Sequence, residues 1–256
     1  MNNLKHFSLF LILLFPLFFH CHQTLAGEKI KKPYLGKAPM YQMVRNDAKA
    51  NIILFNGGPG WWGNLKSKNF LIREREKFFS KGLNVFLFPN KKKKFKMTYG
   101  DRLKNDHITR IRKLIEDIRT QNELPVFLAG ISRGAVSVGR FVSQYGQKIE
   151  GAALLSGIYY NTRITKKNAY SMQRVIGTDA PTSILVLHHE DDCCKLCQPS
   201  SAKQFFEELK IKSKTLAMIS GGGSSGSCNG PFHHHGFEGV ENQAVDHLVA
   251  WIDSHK

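Results

Sequence analysis

A chain of 256 residues with 42% hydrophobic content is long enough for one domain with a substantial core, which excludes a disordered or fibrous protein. No internal period of about 20–50 residues is visible, which excludes a solenoid or propeller. The formal charge of +17 becomes +16 once Lys5 is set aside with the leader described next (17 − 1 = 16). No nucleic-acid-binding motif accompanies that charge, so it reads as a solvated basic face and nucleic acid is not an expected partner.

Residues 1–26 read as a signal peptide. Lys5 and His6 give a basic start, Phe7 to Phe19 is a run of Phe, Leu and Ile broken by Ser8 and Pro16, and Thr24-Leu25-Ala26 supplies a small residue at a cleavage site. The run is short for a membrane span, which needs roughly 20 apolar residues. The expectation is an exported protein, periplasmic or secreted, with residues 27–256 as one domain.

Along the chain, 51–55 is a buried strand stopped by Asn56-Gly57-Gly58-Pro59-Gly60. Residues 69–81 suit an amphipathic helix closed by Gly82, and 83–88 is a second strand stopped at Pro89. Residues 106–119 carry Ile108, Ile111, Leu114, Ile115 and Ile118 on one stripe, the clearest helix of the sequence. Strands follow at 125–131, 152–158, 184–188 and 215–219, with helices at 134–145, 200–209 and 240–252. Strands apolar at nearly every position, alternating with helices, predict an α/β fold: a doubly wound, mostly parallel sheet covered on both faces. Between Ile158 and Thr182 there is only about one helix of sequence, so little or no lid is expected.

Gly130-Ile131-Ser132-Arg133-Gly134 sits between a strand and a helix, the setting of a nucleophile elbow. A turn that tight leaves room only for small neighbours, which suits Gly130 and Gly134 around Ser132. The Arg133 N–H at the helix start can donate to an oxyanion. A second donor is expected from the earlier Gly-rich loop, Gly58 first and Gly57 second. Trp61 and Trp62 wall a substrate pocket or pack against the first helix.

A triad acid must lie after Ser132, at the carboxyl edge of the sheet. Glu150 and Asp179 precede strands, and Glu207 and Glu208 lie on a helix. Glu190, Asp191 and Asp192 follow a strand; Asp192 is preferred and Asp191 is the alternative. His233, His234 and His235 lie in the loop after the sixth strand, and His235, at the doorstep of the last helix, is the expected base. Neither a metal site nor a cofactor is expected: Cys194 and Cys197 have the one Cys-x-x-Cys spacing present, and a second such pair is missing.

With these residues on the page, the chain resembles the α/β-hydrolase superfamily, in the order Ser…Asp…His, the elbow and the Gly-Gly loop. More narrowly it is similar to small exported bacterial α/β hydrolases of undefined substrate. That likeness rests on Asn69-Phe70-Leu71-Ile72-Arg73, the elbow, His188-His189-Glu190-Asp191-Asp192 and His235-Gly236-Phe237, and spans about Ile52 to Ile252. The resemblance implies a disulfide between Cys194 and Cys228, with Cys193 and Cys197 paired or free. It also implies a serine esterase or related acyl hydrolase acting on a small ester or amide. A peptidase or amidase, and a non-catalytic binding protein on the same fold, are the other readings. Lys91-Lys92-Lys93-Lys94 and Lys96 follow the second strand and read as a solvated loop, with weak attraction to an anionic membrane surface as the alternative.

Overall fold

The computed structural model describes residues 27–92, 94–160 and 170–256. The expected signal peptide, Lys93 and residues 161–169 lie outside the described residues. Among the described residues, no helix is long and apolar enough to cross a membrane.

Eight strands form one sheet. In chain order the elements are β1 (Glu28–Ile30), β2 (Met40–Met43), β3 (Ala50–Phe55), α1 (Phe70–Arg73), α2 (Arg75–Ser80), β4 (Leu83–Leu87), α3 (Tyr99–Leu103), α4 (Asn105–Gln121), β5 (Val126–Ile131), α5 (Arg133–Tyr145), β6 (Gly151–Leu155), α6 (Met172–Val175), β7 (Ser183–His189), α7 (Pro199–Glu208), β8 (Lys214–Ile219) and α8 (Glu241–Asp253). The spatial order is β1-β2-β4-β3-β5-β6-β7-β8. The pairs from β4 through β8 are parallel, while β1 and β2 join antiparallel at one edge.

The unbroken apolar runs of the inner strands are explained by burial on both faces. Ile52 and Leu54 face one core layer with α1, α2 and α8, whereas Ile53 and Phe55 face the other with α4, α5 and α7. Both layers are dry, so every position of such a strand must be apolar or hydrogen-bonded. Asn51 and Asn84 meet the second condition: the Asn84 side-chain amide donates to Asn51 Oδ1 at 3.0 Å.

Four sequence expectations need adjustment. Strands β1 and β2 carried no clear pattern in the sequence. The helix expected over 69–81 is two helices, broken at Glu74 (φ −95°, ψ 5°), with the Asn69 side chain capping the first by accepting from the Leu71 N–H. The fourth expected strand ends at Leu155 rather than Ile158, because Ser156 turns to φ +41°. Helix α3, which the sequence pattern alone did not predict, opens on a Thr98/Asp101 capping box.

The order of crossovers fixes where a ligand can sit. From central β3 the chain goes to β4 on one side and returns to β5 on the other. Loops leaving the carboxyl ends of β3 and β5 therefore diverge and open a crevice between them. The Gly57-Gly58 loop leaves β3 and Ser132 leaves β5.

Candidate active site

Ser132 has φ +54° and ψ −123°, a conformation an ordinary side chain avoids, at the joint between β5 and α5. The two glycines around it are required by contact. A Cβ on Gly134 would lie 2.0 Å from the Phe55 carbonyl oxygen, and one on Gly130 would lie 2.6 Å from Gly134 backbone. The Arg133 guanidinium lies 4.7 Å over the Tyr99 ring, while its backbone begins α5. The positive end of that helix therefore points at the elbow.

The β3 loop closes against this turn. A Cβ on Gly57 would be 3.2 Å from Ser132 Cβ, and Gly58 adopts φ +52° with open space at its Cβ position. Asn56 donates through Nδ2 to the Gly60 carbonyl at 3.1 Å. Arg102, on α3 and 2% exposed, reaches across to the same loop. One terminal nitrogen donates to the carbonyls of Asn56 (3.1 Å) and Gly58 (3.2 Å), and the other to Ser137 Oγ (3.0 Å). Burial, with help from neighbouring Arg133, lowers the Arg102 pKa to about 9. The carbonyls it holds turn the loop's N–H groups away from Arg102. Sequence reasoning missed Arg102, since a lone arginine on an amphipathic helix gives no signal.

The carboxylate that pairs with His235 is Asp192 and not Asp191. Its Oδ2 lies 2.8 Å from His235 Nδ1, and its Oδ1 accepts the Cys194 N–H at 2.9 Å. Burial opposes the Asp192 charge, yet hydrogen bonds from His188 and His235 outweigh it and hold the pKa at about 2. Burial likewise opposes the His235 imidazolium, but Asp192 outweighs it and the net shift is upward. His188 is a second neighbour the sequence did not assign. Its Nε2 sits 2.8 Å from the Cys197 carbonyl and 3.3 Å from Asp192 Oδ2. Asp191 instead donates its backbone N–H to His189 Nδ1 at 3.0 Å.

His235 stands on a short 3-10 turn, His234–Gly236, that α1 holds from below. Arg73 donates to the carbonyls of Pro231 (3.1 Å) and Gly236 (2.8 Å) and pairs with Glu241 at 2.8 Å. Phe237 follows at φ +59° and packs edge-on against Phe70. His233 and His234 point elsewhere: His234 stacks on His189 with ring centroids 4.3 Å apart, and His233 lies beside Cys193.

Ser132 and His235 line one cavity of about 300 Å³, with Gly57, Trp61, Trp62 and Phe70 among its walls. Both tryptophans thus reach the cavity, and Trp61 also packs into the core beside α1. Lys91 and Lys92 lie elsewhere: both line a separate cavity, and Lys91 pairs with Asp106 at 3.1 Å.

The disulfide is Cys193–Cys228, correcting the expected Cys194–Cys228 pair. The reason is the turn after Asp192, where successive side chains point in opposite directions. Cys193 projects outward to the loop carrying Cys228, and Cys194 projects inward, where its N–H bonds Asp192. Cys194 and Cys197 are free thiols, both buried. The Cys197 thiol hydrogen-bonds Cys194, which draws the Cys194 pKa down to about 6 and pushes that of Cys197 up.

No protein-family model and no curated protein sequence matches the chain. Solved structures do. An alpha-beta serine hydrolase homologue from Coxiella burnetii superimposes with TM-score 0.60 at 15% identity, over 89% of this chain and 97% of that one. A monoglyceride lipase from Saccharomyces cerevisiae gives 0.62 at 13% identity, over 92% and 97%. An esterase from Pyrococcus furiosus gives 0.63 at 13% identity, over 90% and 92%. With the eight-stranded, mostly parallel sheet and the crevice at its switch point, these likenesses identify the fold: the chain is an α/β-hydrolase-fold protein, with no lid among its described residues.

Proposed function

We propose that this protein is a serine-dependent acyl hydrolase that cleaves small carboxylic esters. The observation that carries the reading is the strained Ser132 sharing a cleft with His235, whose Nδ1 is held 2.8 Å from buried Asp192. Strain at one serine, a base beside it and an acid behind the base are the arrangement that makes a hydroxyl nucleophilic. The cavity's volume falls at the low end for small-ligand pockets, which favours short acyl groups.

In the proposed reaction Ser132 Oγ attacks the ester carbonyl carbon while His235 Nε2 takes the hydroxyl proton. Asp192 keeps the Nδ1 proton and stabilises the imidazolium. The N–H groups of Arg133 and Gly58 hold the oxyanion. The tetrahedral adduct collapses, His235 passes its proton to the departing alkoxide, and an acyl-Ser132 remains. Water then gives a proton to His235 and its oxygen to the acyl carbon; the acyl–Oγ bond breaks, His235 returns the proton to Ser132 Oγ, and the acid leaves.

The test uses a fluorophosphonate probe and a short p-nitrophenyl ester. Labelling should map to Ser132, and Ser132→Ala should lose at least about a thousandfold in kcat/KM. An unlabelled but folded protein means a binding protein on the same fold. Turnover of an aminoacyl amide faster than of the ester means an amidase or peptidase.

A further inference from the structure

Next to the candidate triad lie two cysteine side chains that the proposed hydrolysis does not use. The turn Cys194-Lys195-Leu196-Cys197 is closed by the Cys197 N–H donating to the Cys194 carbonyl at 2.9 Å, and it presents both sulfurs to the interior. The two sulfurs and a ring nitrogen of His235 all lie within 4.8 Å of one another, and all three residues are buried.

We propose that Cys194, Cys197 and His235 form a three-ligand site for a thiophilic d10 cation, with zinc as the reference ion, and that filling it withdraws His235 from Ser132. The donor set is two thiolates and one imidazole, and the cysteines have the Cys-x-x-Cys chelate spacing of structural zinc sites. The third ligand comes from 38 residues beyond Cys197 (235 − 197), so cysteine spacing alone does not reveal it. Tetrahedral zinc needs ligand atoms roughly 3.5–3.8 Å apart, given Zn–S near 2.3 Å and Zn–N near 2.0 Å. The observed separations require a contraction of at most about 1.3 Å.

Asp192 completes the argument. A metal-bound histidine characteristically gives its other ring N–H to a carboxylate, which fixes its tautomer and raises its basicity. The Nδ1–Oδ2 contact at 2.8 Å supplies that partner. The proposed ligand is then Nε2, the nitrogen hydrolysis needs. Catalysis and metal binding thus compete for one lone pair on one pre-oriented ring. On binding, both sulfurs ligate as thiolates, any proton a thiol still carries passes to solvent, their charges balance the cation, and the fourth position opens toward Ser132 or water.

A neighbouring cluster lacks this character. In His189, Asp191 and His234, both nitrogens of His189 are already engaged, by the Gly221 carbonyl at 2.7 Å and the Asp191 N–H at 3.0 Å. It serves as the control.

The test titrates cobalt(II) into the full protein after confirming that Cys194 and Cys197 are both free thiols. One equivalent should give a thiolate-to-cobalt charge-transfer band with the visible bands of tetrahedral cobalt, and zinc should displace them. Cys194→Ala and Cys197→Ala should each remove the charge-transfer band or weaken binding by roughly 100-fold or more, while His234→Ala keeps it. Zinc should inhibit ester turnover, and a chelator should restore it. In each cysteine variant the ratio of rates with and without zinc should approach unity. The proposal is overturned by no thiolate band in the wild type, by zinc inhibition persisting in both variants, by zinc activation, or by recovery of the two cysteines as a disulfide resistant to mild reductant. The inhibition arm rests on the proposed hydrolase function, but the cobalt spectrum does not. A protein that binds cobalt through both thiols yet turns over no ester keeps the site and loses the function.

Discussion

His235 and Asp192 move in opposite directions with pH, and the two signs define a window. His235 is raised above 6.5, so the stability of its charged pair is full below 6.5 and is lost as pH rises through the raised value. Asp192 is depressed to about 2, so its contribution is present above 3.8 and is lost as pH falls toward 2. The ion pair is complete between those limits. Catalysis needs the opposite state of His235, because only neutral imidazole accepts the Ser132 proton. Ester kcat/KM should therefore rise with pH through an inflection above 6.5. In Asp192→Asn that inflection should shift downward, with a rate loss on the order of ten-thousandfold. A wild-type inflection at or below 6.5 would contradict the pairing. Residues of this kind were legible in the sequence because chain order and strand ends constrain them: a carboxylate after β7 and a histidine after β8 are brought to one edge by any parallel sheet. The choice between adjacent cysteines was not legible. Cys193 and Cys194 differ by which way one turn faces, and that is decided by the Asp192 carboxylate accepting the Cys194 N–H.

Elements matter here through the side chains they lend to loops. Helix α3 contributes Arg102, whose guanidinium fixes the carbonyls of Asn56 and Gly58, and α1 contributes Arg73, which fixes those of Pro231 and Gly236. One arginine braces the proposed oxyanion loop and the other the histidine turn. Arg102→Met keeps most of the volume and removes the donors. Its expected effect is a kcat lower by about 10- to 100-fold with KM nearly unchanged, since a loosened N–H is felt mainly where negative charge develops. A variant with a lower melting temperature and an unaltered kcat would reduce Arg102 to a structural brace. The inner strands were readable because doubly buried strands must be apolar throughout, whereas β1 is a short exposed edge strand and β2 is only four residues long with Gln42 among them. The two arginines were not readable, because their acceptors are backbone carbonyls, which any sequence provides.

For the whole molecule, the sheet sets the site and a covalent tie joins its acid and histidine loops. The β3 and β5 loops are fixed by two packed core layers. Asp192 and His235 come instead from the loops after β7 and β8, the last two strands toward the other edge of the sheet. The Cys193–Cys228 bridge joins those two loops across 35 residues of sequence. The chain-entropy estimate gives about 3–4 kcal/mol for such a loop. For a domain of this size that corresponds to a melting shift on the order of 10 °C. Cys193→Ser and Cys228→Ser should each lower Tm by that amount, and the double variant by no more, because each single change already opens the bridge. Cys194→Ser should leave the bridge intact, with mass spectrometry still recovering a peptide linked to Cys228. Loss of that peptide in Cys194→Ser, with retention in Cys193→Ser, would restore the alternative pairing. Activity supplies a further readout. If the bridge positions Asp192 against His235, the Cys228→Ser enzyme should lose turnover well below its own melting temperature. If it only restrains the unfolded chain, activity and fold should disappear together.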